Sequence, residues 1–251
     1  LQAGKHVLCE KPMALTLADC DRMIAAAEEA ERTLMIAQCV RFWPQYEAIQ
    51  QRVDDGRIGP VRFASLRRLA SPPDYSSGGW LMDASQSGGA LLDLHVHDVD
   101  FAQHLLGLPA KLTARGCRGP SGGIDHVVAT YGYPDGRYAV LEGGWVYHSP
   151  WPFEMAITVV GETGTLDWSM QRGPEVCFYQ GTNEVEKIAV SDETGWTREL
   201  DYFIECLREE RAPERCLPSS SRASIALALL ERKSIENGTR VRVPAELHAA
   251  M

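Results

Sequence analysis

The hydrophobic pattern of this chain changes character once, near residue 40, and that change narrows the folds open to it. Before the change, a short strand at His6-Val7-Leu8-Cys9 is followed by Leu17, Met23, Ile24 and Ala27 at helical spacing, running to about Arg32. Thr16 stands where a helix cap belongs, with Asp19 three residues on. Leu34-Met35-Ile36-Ala37 is then an unbroken apolar run, the pattern of a strand covered on both faces. Strand, helix and strand in this order predict a right-handed βαβ unit. After the change, Pro44 opens a helix to about Asp55, and Val61 to Leu69 reads as a strand. From Ala110 the pattern is one of hairpins: strands at 110–116, 125–133 and 137–146, then 153–160, 164–168, 175–180 and 185–190. Pro134-Asp135-Gly136 and Gly161-Glu162-Thr163-Gly164 supply turns. Two helices, at about 195–210 and 219–236, close the chain. The predicted fold class is α/β followed by α+β, with a large, mostly antiparallel sheet in the second part.

Between the two patterns lies a segment of another kind. Residues 71–87, rich in Ser, Gly and Pro, read as a long loop, and long loops in compact domains are usually functional. The loop delivers the chain through Gly88-Gly89 to a helix that ends at Gly107. That helix is apolar nearly all round and must therefore be buried. Yet Asp93, His97, Asp100 and His104 follow one another at offsets of 4, 3 and 4. At about 100° per residue, such offsets put all of them on one stripe. Buried titratable groups cost free energy unless they are paired or have a chemical task. Three readings stay open. Asp93 can orient His97 as a proton-handling pair; the stripe can hold a divalent metal; or it is a satisfied polar seam. His95 lies off the stripe, which weakens the metal reading.

Other residues carry chemistry in isolation. Glu10-Lys11-Pro12 ends a buried strand, and ligands bind at the carboxyl ends of strands in open α/β sheets. A lysine there can serve as a general acid or base; a solvated strand-end lysine is the bland alternative. Arg41, before Phe42-Trp43, can clamp a ligand hydroxyl or carboxylate or can simply sit at the surface. Trp145, Tyr147, His148, Trp151 and Phe153 cluster after a strand, more in the manner of a sheet-face core or a subunit contact than of a pocket. The turn at Gly161–Gly164 lies between strands and is no phosphate loop.

Some classes are disfavoured. A net charge of −9 speaks against nucleic acid as a partner. No apolar run has the length of a membrane span. The seven cysteines never form a Cys-x-x-Cys pair and read as reduced thiols, which places the protein in the cytoplasm.

Three segments taken together resemble one family. Gly4-Lys5-His6-Val7-Leu8-Cys9-Glu10-Lys11-Pro12, Arg41-Phe42-Trp43-Pro44 and Gly88-Gly89-Ala90-Leu91-Leu92-Asp93-Leu94-His95-Val96-His97-Asp98-Val99-Asp100 occur in the order and spacing of the Gfo/Idh/MocA family. The family comprises NAD(P)-dependent oxidoreductases acting mostly on sugars and cyclitols. The resemblance implies that residues 1–40 are the C-terminal part, or remnant, of a dinucleotide-binding Rossmann domain. Residues 41–251 would then form the substrate-binding and oligomerisation domain, an α/β domain whose sheet face builds homodimers or homotetramers. It implies NAD or NADP as cofactor, a small sugar or cyclitol as substrate, and no metal. Lys11, Asp93 and His97 match the residues around the reacting carbon. Glu10, Lys11 and Pro12 match the turn at the cofactor, and Arg41, Asp93 and His97 match substrate-contacting positions. His95 stands where relatives commonly have glycine, and Ser87 where the motif begins with one. The family's glycine-rich fingerprint is not in this sequence. A βαβ unit alone would expose a sheet edge and an apolar face. The alternative expectation is thus a truncated, non-catalytic fragment or assembly module that cannot bind the dinucleotide by itself.

Overall fold

The computed structural model describes residues 1–181 and 184–249. Strand β1 (Val7–Glu10), helix α1 (Leu17–Glu29) and strand β2 (Leu34–Ala37) form the opening unit. β1 and β2 pair in parallel, with Val7 opposite Leu34 and Glu10 opposite Ala37. Thr16 caps α1, its hydroxyl accepting from the Asp19 N–H at 3.1 Å. A 3₁₀ turn (Cys39–Phe42) leads into α2 (Pro44–Asp54), which has proline in its first turn, where a missing N–H costs nothing. β3 (Val61–Leu69) follows. The stretch at 71–87, expected as loop, contains a 3₁₀ segment (Ser77–Met82) and a single helical turn, α3 (Ala84–Ser87). Asp83 caps α3 through the Ser85 N–H, a signal hidden among the surrounding turn formers.

The helix expected from Gly88 to Gly107 is two helices, α4 (Gly89–Asp93) and α5 (Val96–Leu106). At the break, the His95 N–H reaches back to the Ala90 carbonyl at 2.8 Å, a wide turn, and the Asp98 N–H then bonds the His95 carbonyl at 3.0 Å, a tight one. The break sends the His95 imidazole into the core. Its Nε2 lies 3.0 Å from the Glu231 carboxylate, which also accepts from the Tyr131 hydroxyl at 2.7 Å. Gly143 leaves room for the ring, since a Cβ there would stand 2.5 Å from Nδ1. The imidazole at position 95 is thus matched by a glycine on the strand opposite.

The chain continues through β4 (Lys111–Arg118), β5 (Ile124–Gly132), β6 (Tyr138–Gly144), β7 (Glu154–Gly161), β8 (Thr165–Ser169), β9 (Val176–Tyr179) and β10 (Glu186–Ile188). Helices α6 (Gly195–Arg208) and α7 (Pro218–Asn237) follow, then a short β11 (Val241–Arg242) and α8 (Ala245–Ala249), neither of which the sequence pattern signalled. Among the described residues, the second sheet has nine strands in the order β10-β9-β8-β7-β3-β6-β5-β4-β11. Only β3 and β6 run parallel; the other neighbours are antiparallel. Alternate residues such as Leu141, Ile157 and Val159 turn inward against Tyr46 and Ile49 of α2, Phe101 and Leu105 of α5, and Leu227 of α7. Each such side chain contributes about 1.5–3 kcal/mol by leaving water.

The first unit does not expose its apolar face as expected. Met13, Cys20, Leu34 and Ile36 bury themselves against Leu92, Val96, Ile225 and Ala228, so α4, α5 and α7 cover it. The helix opened by Gly88-Gly89 is therefore held between the two sheets.

Candidate active site

Lys11 leaves the carboxyl end of β1 and reaches across to the end of α4. Its ammonium donates to the Asp93 main-chain carbonyl at 2.6 Å and to the Asp93 carboxylate at 3.0 Å. The backbone that permits this begins at Gly88 and Gly89, both in the left-handed region at φ 79° and 71°. Side chains there would also collide, Gly88 with Leu92 at 2.7 Å and Gly89 with Asp125 at 3.1 Å. Asp125, fully buried, accepts from the Ser121 N–H and hydroxyl and from the Ala90 N–H at the start of α4. The hinge is built by glycine on one side and fixed by a buried carboxylate on the other.

Lys11, Asp93 and His97 line one cleft of about 730 Å³ between the opening unit, β3, the loop after it and the start of α6. Ligand pockets commonly span about 300–1,000 Å³. Asp93 and His97 do not form the expected hydrogen-bonded pair: the Asp93 carboxylate is taken by Lys11, and His97 Nδ1 is buried without a partner. Burial first, then the nearby Lys11 and Arg68 cations, hold the His97 imidazole well below the usual histidine range. It is a neutral ring at physiological pH.

The break at His95 leaves Asp93 on α4 and the other three stripe residues on α5, where each has a different setting. Asp100 is fully buried and takes Arg41 in a bidentate pair, with both nitrogens at 2.7 Å. His104 is exposed and leans edge-on to Phe101. Among the described residues, no three His, Cys, Asp or Glu side chains converge as metal ligands. Arg41, expected to touch substrate, does not line the cleft. Its guanidinium is used up by Asp100 and by the Ser220 hydroxyl at 2.6 Å, and so ties the 3₁₀ turn to α5 and α7. Of the Glu10-Lys11-Pro12 turn, only Lys11 lines the cleft; Glu10 is exposed at the strand end.

Several lining residues carried no readable signal. Arg68 on β3 is 2% exposed and pairs with Asp98 at 2.9 and 3.1 Å, a carboxylate that falls off the helical stripe. Trp43 and Trp196 meet edge to face at 5.0 Å, because Gly195 lets α6 approach the Cys39 carbonyl closely. The aromatic cluster after β6 divides: Trp145, fully buried, and Trp151 and Phe153, both exposed, line the cleft. Tyr147 turns outward to His126 and Glu142. Cys39 also borders the cleft, but burial pushes its thiol up to about 12, which removes it as a nucleophile. Glu199 on α6 is a buried carboxyl pushed up to about 8, by burial and then by the charge of Glu10. Among the described residues, no helix is long and apolar enough to cross a membrane.

Two family models match the chain: the oxidoreductase family with NAD-binding Rossmann fold over residues 1–38, and the GFO/IDH/MocA C-terminal domain over residues 46–167. The chain is 33% identical over 174 residues to 2,7-anhydro-N-acetylneuraminate hydratase of Escherichia coli, which spans 66% of this chain and 46% of that protein. It is 28% identical over 225 residues to myo-inositol 2-dehydrogenase of Thermotoga maritima, spanning 85% of this chain and 61% of the relative. In fold it is similar to levoglucosan dehydrogenase in complex with NADH and levoglucosan, with a TM-score of 0.85 at 19% identity, covering 97% of this chain and 75% of that one. The chain spans about half the length of the first curated relatives it matches, 46% and 48%.

Proposed function

This chain belongs to the Gfo/Idh/MocA family of oxidoreductases, and from that premise we propose that the protein moves a hydride between a secondary alcohol carbon of a sugar or cyclitol and a nicotinamide cofactor. One observation carries the reading: Lys11, from the opening unit, is bonded to Asp93 of the second, beside a neutral His97 in the same cleft. Residues 1–40 then belong to the dinucleotide domain and residues 41–251 to the substrate domain.

The residues present fit the nicotinamide end of such a cofactor. Lys11 stands at the carboxyl end of a parallel strand, where dinucleotides bind in α/β sheets, and the cleft of about 730 Å³ next to it has room for a ring and a sugar. Glu10, Lys11 and Pro12 would border that end. NAD or NADP, when bound, supplies the hydride acceptor. The chain's own residues handle the proton. The Lys11 ammonium, fixed by two bonds to Asp93, polarises the substrate hydroxyl oxygen. The uncharged His97 accepts the hydroxyl proton as the carbon is oxidised, and returns it in the reverse direction. Asp93 acts by holding Lys11, not by orienting His97. Arg68, neutralised by Asp98, closes the cleft behind them.

The test uses the full-length protein carrying Lys11→Met. Turnover should fall by roughly a hundredfold to ten-thousandfold, the range for loss of an acid–base or polarising group, while cofactor binding persists. Near-normal turnover would sink the assignment. On the open face of the nine-stranded sheet, Val128 and Tyr138 are 38% and 46% exposed. No helix of the described residues covers that face, which supports its use in a homodimer or homotetramer.

A further inference from the structure

Position 95 stands between Asp93 and His97, yet its side chain leaves the cleft and is fully buried in the core. Sharp helix breaks come from proline, from glycine or serine, or from a side chain that forces the hydrogen-bond ladder aside. Leu94-His95-Val96 contains no proline, glycine or serine. The break is instead a wide turn, with the His95 N–H on the Ala90 carbonyl five residues back at 2.8 Å, a geometry that recurs at functional sites. Three separate elements hold the imidazole. Its Nε2 lies 3.0 Å from Glu231 of α7, Tyr131 of β5 donates to the same carboxylate at 2.7 Å, and Gly143 of β6 leaves the space. His95, Glu231 and Tyr131 are fully buried and none of them lines the cleft. Taking such groups out of water costs free energy. What the fold gains is a fixed direction for the chain at position 95.

That direction reaches Lys11. In an unbroken α-helix the Asp93 carbonyl would point along the axis to the His97 N–H. Here it accepts the Lys11 ammonium at 2.6 Å, the shorter of the two bonds that ammonium makes to Asp93. The main-chain bond thus depends on the chain leaving helical geometry between Asp93 and His97. We propose that His95 is a positioning residue. Held by Glu231 and Tyr131 outside the cleft, it keeps the helix broken, frees the Asp93 carbonyl for Lys11 and so sets Lys11 beside His97. The consequence for turnover rests on the oxidoreductase reading; the consequence for Lys11 does not.

The experiment labels the lysines of the full-length protein with limiting acetic anhydride at mildly alkaline pH and follows each site by peptide mass spectrometry. Lys5 and Lys233, both exposed, are the internal references. His95→Leu fills the space but cannot donate to Glu231, and should raise acetylation of Lys11 over the references about tenfold, the equivalent of one charge-assisted hydrogen bond. His95→Gln keeps an N–H donor and should stay within about twofold of the wild type. Gly143→Ala sets a Cβ 2.5 Å from Nδ1 and should raise Lys11 labelling with His95 still present, which decides the matter where His95→Leu fails to fold by circular dichroism. Unchanged Lys11 labelling in a folded His95→Leu or Gly143→Ala protein overturns the inference. So does a rise of equal size in His95→Gln, which would make bulk and not the tie to Glu231 the cause. Turnover of the same proteins is read as nicotinamide reduction with myo-inositol and with D-glucose. Here kcat should fall about tenfold in His95→Leu and Gly143→Ala and recover in His95→Gln, with nicotinamide affinity unchanged. A labelling response in a protein that reduces no nicotinamide with either probe upholds the inference and counts against the hydride-transfer reading. A labelling response with kcat unchanged upholds the positioning and counts against Lys11 as the polarising group.

Discussion

Replacing Arg41 separates two accounts of a residue that the motif places at the substrate and the structure places in the core. Arg41 is 5% exposed and Asp100 fully buried. Arg41→Met removes two charge-assisted bonds of 2.7 Å and leaves the Asp100 carboxylate with the Ser224 hydroxyl at 2.8 Å. Breaking a buried pair by deleting one partner costs about 3–5 kcal/mol, most of it the penalty of the charge left behind. For a protein of this size the melting midpoint should fall by on the order of 10 °C. Asp100→Leu alone should cost a similar amount by stranding the guanidinium. Combining Arg41→Met with Asp100→Leu removes both charges together, and should recover most of the loss, leaving within about 1 kcal/mol of the original stability. The assay is a double-mutant cycle by denaturant unfolding of the intact protein, with KM measured on each folded variant. If Arg41→Met leaves the unfolding midpoint unchanged but raises KM tenfold or more, the guanidinium works in the cleft and the structural assignment is wrong.

Two further expectations follow from the same geometry. The folded pKa of His97 lies below its unfolded value of 6.5, through burial and the Lys11 and Arg68 cations. Above pH 6.5 both states are neutral there and His97 adds no pH dependence. Below it the unfolded chain alone takes the proton, so stability should fall by about 1.4 kcal/mol per pH unit until the folded pKa is reached. His97→Asn should flatten that part of the unfolding curve between pH 6.5 and 5, and an unchanged slope would refute the neutral-ring assignment. Gly195→Ala would set a Cβ 2.2 Å from the Cys39 carbonyl and 2.8 Å from the Trp43 ring. Helix α6 must then move off. A loss of about 1–3 kcal/mol and a raised KM are expected from thermal melts and steady-state kinetics, because the Trp43–Trp196 contact opens.

Much of the architecture was legible in one dimension because it depends on near neighbours in the chain. The βαβ unit follows from the capped helix and the apolar run at Leu34–Ala37, and the hairpins from alternation and turn residues. The strand boundaries predicted for the second part lie within about two residues of those found. The helix break was not legible. A periodic pattern from Gly88 to Gly107 contains nothing that forbids a continuous helix. What breaks it is a site for an imidazole between Gly143 and Glu231, residues far away in the chain.

The same distinction runs through the site. Sequence alone supplied its residue types: a strand-end lysine, a buried acid and histidine one turn apart, and a hinge of two glycines. Only the tertiary structure decided the partners. Lys11 takes Asp93, Arg68 takes Asp98, and Arg41 takes Asp100, so the stripe yields Asp93 and His97 to an open cleft and Asp100 to a closed ion pair, while Asp98, off the stripe, closes a second. A buried charge settles on whichever opposite charge the fold brings within reach, and the Coulomb and desolvation terms that choose it depend on distances that no spacing along the chain contains.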